Sequence, residues 1–349
     1  MKYQKIKFPI DGLPHNTVIE WWYFNGHLTD REGNDYAFMD SFFKADPKKV
    51  NLPFFRKIPL KNIYFSHSSL SDVNKNKFYS DINPLCLVSR DSFSKSSFFV
   101  NYTFPSLKGY LNYEIKEIGK FKYRIKSQFF DLILTSAKKP LLVGGKGFLK
   151  FHSRSTHYYS LTHFKTEGYV IVDGRYIKVR GKSWMDHQWA DAPYQQDKWT
   201  WFSIQLENNN EITCFEYEWK NKKYRLASII DGNNKVFNFT DVTLTPLDVY
   251  WESEETGAKY PLAWEIEIPS KKIRLFTTPL VKEQEMIFGT INYWEGPLDI
   301  KGKWNGKEIS GKGFLELVGC PIKKSLIRIF ETEFKKKIVE LKYWVLKKS

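Results

Sequence analysis

Apolar and polar residues alternate over short spans along this chain: Tyr36-Ala37-Phe38-Met39, Phe121 to Ile125, Tyr169 to Val172, Tyr176 to Val179, Trp264 to Ile268 and Ile273 to Phe276. A two-residue period sends successive side chains to opposite faces of an extended backbone, so each span predicts a half-buried strand. Turn-forming residues separate the spans, as in Glu32-Gly33-Asn34-Asp35, Asp173-Gly174, Asp231-Gly232-Asn233-Asn234 and Asn305-Gly306. Many short strands joined by hairpin turns predict an all-β protein of the sandwich or barrel kind.

A weak internal repeat divides the pattern. Trp21-Trp22-Tyr23-Phe24-Asn25-Gly26-His27-Leu28 can be laid over Trp199-Thr200-Trp201-Phe202-Ser203-Ile204-Gln205-Leu206, and each is followed by a turn and a second aromatic strand. Each copy reads as the opening hairpin of its own β unit. The polar, Pro-containing stretch Asp191 to Asp197 lies between them, which predicts one domain over 1–190 and a second over 191–321.

From residue 322 the period changes. Leu326, Phe330, Phe334, Ile338, Leu341 and Val345 recur every three or four positions with lysines and arginine largely between them, predicting a basic amphipathic helix over 322–349. Such a helix either packs its apolar stripe on the β domain or lies on an anionic membrane surface.

Composition narrows the function classes. With 349 residues, 42% hydrophobic and 17% aromatic, the chain can fill real cores. Its 28 Phe, 20 Tyr and 12 Trp suit both β-sheets and the walls of an apolar ligand pocket. The formal charge of +15 comes from scattered lysines and arginines without a nucleic-acid-binding motif, so nucleic acid is not an expected partner. Cys86, Cys214 and Cys320 are odd in number and far apart, which predicts neither a disulfide framework nor a zinc site and fits a reducing compartment. Pro9, Asp11, Gly12 and Pro14 follow the N-terminal lysines where a signal peptide would be apolar, and no run of about 18 apolar residues occurs. A cytoplasmic protein, with peripheral membrane contact through the C-terminal helix as a variant, is the expectation.

The candidate chemistry lies in Gly181-Lys182-Ser183-Trp184-Met185-Asp186-His187-Gln188-Trp189 and, upstream, Thr156-His157-Tyr158-Tyr159-Ser160. His157 shares a strand face with Tyr159, and Trp184 with Asp186. If those faces met, one cavity would hold an acid, a base and aromatic walls. A carboxyl among indoles loses solvation of its charged form and keeps its proton nearer neutrality, so Asp186 is the candidate proton donor. His157 would position it or take the proton back. The alternative is structural: Asp186 caps a turn and His157 is a satisfied core histidine. His152, His157, His163 and His187 crowd one region, but at spacings that match no known metal motif, so neither a metal nor another cofactor is expected. The Gly144-Gly145-Lys146-Gly147 stretch is no P-loop, and no G-x-S-x-G elbow supports serine hydrolysis.

At these residues the chain resembles the family of bacterial AttH proteins and carotenoid 1,2-hydratases, the lipocalin-like hydratases and cyclases. The resemblance is carried by Glu20-Trp21-Trp22-Tyr23, His157-Tyr158-Tyr159-Ser160, Trp184-Met185-Asp186-His187-Gln188-Trp189 and Tyr293-Trp294-Glu295-Gly296-Pro297, followed by Gly311-Lys312-Gly313-Phe314-Leu315-Glu316-Leu317, in order from about residue 14 to 320. It implies two tandem lipocalin-like antiparallel β-barrels. The hydratase branch is known for a His and a Trp two residues apart and a Tyr and an Asp two residues apart. The matching positions here are His157, Tyr159, Trp184 and Asp186, with Tyr159 where that branch has Trp and Trp184 where it has Tyr. Glu20, Trp22, Tyr23, Trp189, Trp199, Tyr293 and Trp294 are the expected substrate lining. The implied function is cofactor-independent hydration, isomerisation or cyclisation, Diels–Alder reactions included, of a hydrophobic polyene, terpenoid or polyketide-like molecule. A non-catalytic carrier of a hydrophobic ligand is the rival reading.

Overall fold

The computed structural model describes residues 1–50, 60–89, 91–93, 98–106, 109–151, 154–192, 197–288 and 291–324. Two large antiparallel sheets account for most of them, with a small ribbon of Tyr250–Glu252 and Lys259–Pro261 and the short 3-10 turns Ile10–Gly12 and Pro269–Lys271. The strands expected from the alternating pattern are all present. Asp173-Gly174 and Asn305-Gly306 form two-residue turns in which both residues have positive φ (50° and 76°; 51° and 79°), the geometry that matches strand twist in a tight hairpin. The expected helix over 322–349 lies, from residue 325 on, outside the described residues.

The first sheet runs in the order Lys77–Asn83, Ile63–Asp72, Asp35–Ala45, Ile19–Thr29, Arg175–Ala190, Arg154–Val172, Phe130–Ser136, Lys122–Lys126, Gly109–Gly119, Phe99–Ser106, Leu87–Val88. The second runs Val236–Phe239, Lys222–Ile230, Glu211–Trp219, Lys198–Leu206, Lys307–Val318, Ile291–Trp304, Ile273–Pro279, Trp264–Ile268, Thr243–Pro246. The two repeat copies hold equivalent places: Ile19–Thr29 and Lys198–Leu206 each lie between the next strand in sequence and the last strand of their own sheet.

Both sheets curl. Phe42 and Tyr102 belong to strands far apart in the order of the first sheet, yet their ring centroids are 5.3 Å apart; Phe202 and Trp264 meet at 6.0 Å inside the second. Each curled sheet thereby encloses an aromatic and aliphatic core, around Trp22, Phe24 and Tyr123 in the first and around Phe202, Ile266 and Trp294 in the second. Close strand approach is built in at Gly181, where a Cβ would come 1.9 Å from the His27 carbonyl oxygen. A third cluster, with Tyr23, Met39, Tyr158, Trp201, Phe215, Tyr293 and Phe314, lies between the two sheets and joins their outer faces. Among the described residues no helix is long and apolar enough to cross a membrane.

Candidate active site at the seam between the sheets

Strand register decides which side chains reach the seam. In the first sheet Asp186 stands opposite Tyr23 on one side and Ser160 on the other, while Trp184 stands opposite Asn25. Tyr158, two residues from Ser160, shares this face. The second sheet answers with Trp201 opposite Glu316, Glu316 opposite Glu295, and Trp199 and Tyr293 both opposite Val318. Polar contacts bind the halves: Asn25 Nδ2 donates to Ser203 Oγ at 3.3 Å, Trp201 Nε1 to the Tyr158 hydroxyl at 2.9 Å, and His67 Nδ1 meets the Tyr293 hydroxyl at 2.5 Å.

Asp186 is buried and held by three donors. Tyr158 gives its hydroxyl hydrogen to Oδ2 at 2.5 Å; Ser160 Oγ and Trp184 Nε1 both donate to Oδ1 at 2.6 Å. Burial pushes its pKa up to about 6, and the three hydrogen bonds hold it from rising further.

Two more carboxyls share the seam. Burial pushes Glu316 up to about 7, helped by the charge of Asp186 and opposed by a hydrogen bond from Trp199. Glu295 is raised well above the ordinary range by burial and then by Glu316, against a hydrogen bond from Tyr23, and its Oε1 has no hydrogen-bond partner among the described residues. No lysine or arginine among the described residues pairs with any of the three. Two facing carboxyls in low dielectric hold a proton between them, so this pair is protonated at least once near neutrality. The seam opens beside them: Trp21, Gln188, Trp199 and Glu316 are part-exposed, whereas Tyr23, Trp184, Asp186 and Glu295 are buried. An apolar molecule entering there would meet indole and phenol faces first and the carboxyls behind them.

The two same-face pairs read from the sequence are real, but they lie on opposite faces of one sheet. Tyr159 stands opposite His187 and His157 opposite Trp189, which places both inside the first curl, away from Asp186. The expected partnership of His157 with Asp186 is therefore not formed. His157 instead stacks on Trp189 at 5.1 Å and contacts the Gln4 backbone, and burial lowers its pKa. Alternation likewise splits the expected lining: Tyr23, Trp199 and Tyr293 face the seam, Glu20, Trp22 and Trp189 face the first core, and Trp294 is buried in the second, donating to the Lys282 carbonyl at 2.6 Å.

Glu20 anchors a separate cluster on that inner face. Its Oε1 takes hydrogen bonds from His15 Nδ1 at 2.7 Å and His187 Nε2 at 2.9 Å; its Oε2 takes the His15 N–H at 2.8 Å and Lys44 Nζ at 3.2 Å. Against burial, the hydrogen bonds and charges of the His15 and His187 side chains hold Glu20 down at about 2. His15, Glu20 and His187 are a donor set that a metal ion could use. All four acceptor positions of the carboxylate are already filled by protein donors, one of them the buried Lys44 cation, so the arrangement fits a satisfied charge cluster. His187 Nδ1 lies 3.2 Å from the Tyr159 hydroxyl.

Tyr158, Ser160, Trp201, Glu295 and Glu316 were not singled out as site residues by the sequence reading. A signal for the first two was available, because antiparallel pairing of 156–160 with 186–190 puts the even-numbered positions of both strands on one face. Glu295 and Glu316 carried half of one: the Asn305-Gly306 turn sets them opposite one another across a hairpin, but their approach to Asp186 depends on how the second sheet docks.

The chain is 24% identical to an AttH protein from Nitrosomonas europaea, whose crystal structure superposes with a TM-score of 0.74 over 91% of this chain and 98% of that one. It is 19% identical to kievitone hydratase from Nectria haematococca, with a TM-score of 0.72 over 90% and 93% of the two chains. In sequence it is 26% identical over 205 residues to the dehydratase asqC of Emericella nidulans; the match spans 54% of this chain and 58% of that relative's length. The AttH-like family model matches residues 1–320, in keeping with two curled lipocalin-like sheets in tandem. The chain belongs to the AttH-like family.

Proposed function

We propose that the chain is a lyase that adds water to, or eliminates it from, a hydrophobic unsaturated substrate held at the seam between the sheets, using only its own side chains as acid and base. The observation that carries this reading is the group of three carboxyls, buried Asp186 and Glu295 with part-exposed Glu316, all raised and set among aromatic walls with no lysine or arginine paired to them among the described residues. The names of the dehydratase asqC and kievitone hydratase support the same class of reaction.

In the hydration direction the protonated member of the Glu295–Glu316 pair gives its proton to an alkene carbon, whose π electrons form the new C–H bond. The cation left on the neighbouring carbon faces Trp184, Trp201 and Tyr23, whose π faces each stabilise a desolvated cation by about 2 kcal/mol. Asp186, the most acidic of the three, remains largely ionised near neutrality and takes a proton from the attacking water. Dehydration runs the same steps in reverse: protonated Asp186 gives its proton to the departing hydroxyl, and the ionised member of the glutamate pair takes the proton from the neighbouring carbon. Tyr158, bridging Trp201 and Asp186, fixes the base in place.

Incubation of the purified protein with a panel of prenylated phenols and β-hydroxy carbonyl compounds in 18O-labelled water, followed by mass spectrometry, tests the proposal. Gain or loss of one water, abolished in Asp186→Asn and Glu316→Gln, is the expected result. Recovery of every compound bound but unchanged would overturn it in favour of a carrier.

A further inference from the structure

The second curl has its own opening, at the end where its turns gather. The hairpins between Lys198–Leu206 and Glu211–Trp219, between Trp264–Ile268 and Ile273–Pro279, and between Ile291–Trp304 and Lys307–Val318 all close there, with the link from Lys222–Ile230 to Val236–Phe239 beside them. A cavity of about 410 Å³ sits among these turns. Small-molecule sites typically measure about 300–1,000 Å³ and recur at the mouths of β-barrels. Ile229, Phe237 and Trp304 give the cavity its apolar surfaces, and Lys271, Lys272 and Asp231 its charges. Ile229 and Trp304 belong to the core inside the second curl, whereas Trp201 packs towards the seam, so the cavity lies on the other face of the sheet.

The turn that carries the two lysines is fixed by main-chain bonds. Ser270 N–H donates to Asp241 Oδ2 at 2.9 Å, Lys272 N–H to the Pro269 carbonyl at 2.9 Å, and Asn305 N–H to the Lys272 carbonyl at 3.0 Å. Lys271 Nζ is held over aromatic faces, 4.4 Å from the ring centre of Phe237 and 5.4 Å from that of Phe239, and Lys235 Nζ stands 5.1 Å from Phe237. A ring face orients an ammonium without cancelling its charge. The acids nearby are engaged elsewhere. Asp231 Oδ1 accepts the Asn233 and Lys235 N–H groups at 2.9 and 2.7 Å, Asp241 holds Ser270, and Glu265 and Glu267 pair with Arg274. Among the described residues neither Lys271 nor Lys272 forms an ion pair.

Two ammonium groups that no carboxylate neutralises stand beside Phe237 and Trp304, both part-exposed, above the buried Ile229. This combination complements a molecule with an anionic head and a flat apolar body. A bare anion would leave the rings in water, and a neutral hydrocarbon would leave the lysines unused. We propose that the cavity binds a small aromatic carboxylate, its head on Lys271 and Lys272 and its ring against Phe237 and Trp304. Asp231 on the same wall repels a second negative charge, so the site suits a monoanion and disfavours a polyanion. The proposal does not depend on the function assigned to the seam.

Isothermal titration calorimetry on the full chain tests this, with naphthalene-2-carboxylate as probe, naphthalene-2-carboxamide as its neutral near-isostere and inorganic phosphate as an anion without a ring. The carboxylate is expected to bind about tenfold more tightly than the amide and to weaken as salt rises. Lys271→Met keeps an apolar stem over the rings and removes the charge, so it should weaken the carboxylate about fivefold and leave the amide unchanged. Lys271→Arg should restore the carboxylate, Phe237→Ala should weaken both naphthalene compounds, and Glu316→Gln at the seam should alter neither. Equal affinity for the amide, carboxylate binding that survives Lys271→Met, phosphate binding as tight as the carboxylate, or no carboxylate binding at all would each overturn the proposal.

Discussion

Glu295 and Glu316 face one another across neighbouring antiparallel strands, and both sense the charge of Asp186 on the other sheet. The Coulomb cost of two adjacent carboxylates in a desolvated seam makes them titrate as a unit. The unit has to keep its proton to serve as the acid.

Activity should accordingly fall as pH rises through about 7, the value to which Glu316 is pushed. Glu316→Gln should lower turnover by about 100-fold, the usual share of a general acid or base, and remove that alkaline limb. A pH–rate profile of the variant that keeps both the wild-type rate and the limb would exclude the pair from the reaction.

The two tyrosines of the His157-Tyr158-Tyr159-Ser160 stretch offer a sharper contrast. Tyr158→Phe removes a donor to Asp186 and leaves Trp201 Nε1 without its acceptor, so it should cost about 1–3 kcal/mol of stability and a large part of turnover. Tyr159→Phe, buried inside the first curl, should leave kcat within a few-fold of wild type. Asp186→Asn keeps an oxygen for Ser160 and Trp184 and an amide that can donate to Tyr158, so it should fold normally and lose activity. Steady-state kinetics with denaturant melts on the three variants decides this, and a Tyr159→Phe enzyme as damaged as Tyr158→Phe would contradict the assignment of faces.

These contrasts also mark where the sequence stopped being informative. Alternation made the strands, the turns and the repeat legible, because period-two patterning and residues tolerant of positive φ are local properties. The placing of Trp184 with Asp186 on one face was legible for the same reason. The choice of face was not: His157 and Tyr159 have the same local pattern as Tyr158 and Ser160, and only strand register tells which pair meets the acid. Glu295 and Glu316 meet across the hairpin closed by Asn305-Gly306, a local property, but their approach to Asp186 comes from a docking of sheets, information spread over more than a hundred residues.

The Glu20 cluster should be structural. Glu20→Gln would leave Lys44 buried without its anion and weaken the bonds to His15 and His187, and breaking a buried pair in this way costs about 3–5 kcal/mol. Urea midpoints should show that loss, while the specific activity of the folded fraction stays near wild type. A variant of normal stability with no activity would instead move Glu20 into the catalytic machinery.

Stability itself should depend on pH with opposite signs in two windows. His27 and His187 are lowered to about 4 and His67 to about 3, each chiefly by burial, so below the ordinary histidine range the unfolded chain binds protons that the folded one refuses. Their contribution is present above about 6.5 and lost as pH falls towards 4. The acids with raised pKa values act the other way. Asp186, Glu316 and Asp40 are raised to about 6, 7 and 8, and Glu295 well above its ordinary value, so the folded chain keeps protons that the unfolded chain has released. Their contribution is present at low pH and is lost as pH climbs through those values. Between about 4.5 and 6.5 the two sets oppose one another. Above about 6.5 those three histidines are silent, His15, raised against its burial by Glu20 and Asp11, adds to the fall, and stability should fall towards pH 8 by up to about 1.4 kcal/mol per pH unit for each group still protonated only in the folded state. Urea unfolding at about pH 6.5 and about pH 8 measures the slope, and Asp40→Asn and Glu316→Gln should each reduce it. Stability that is flat or rising across that window would mean these carboxyls are already ionised in the folded protein, and the acid proposed for the seam would have no proton to give.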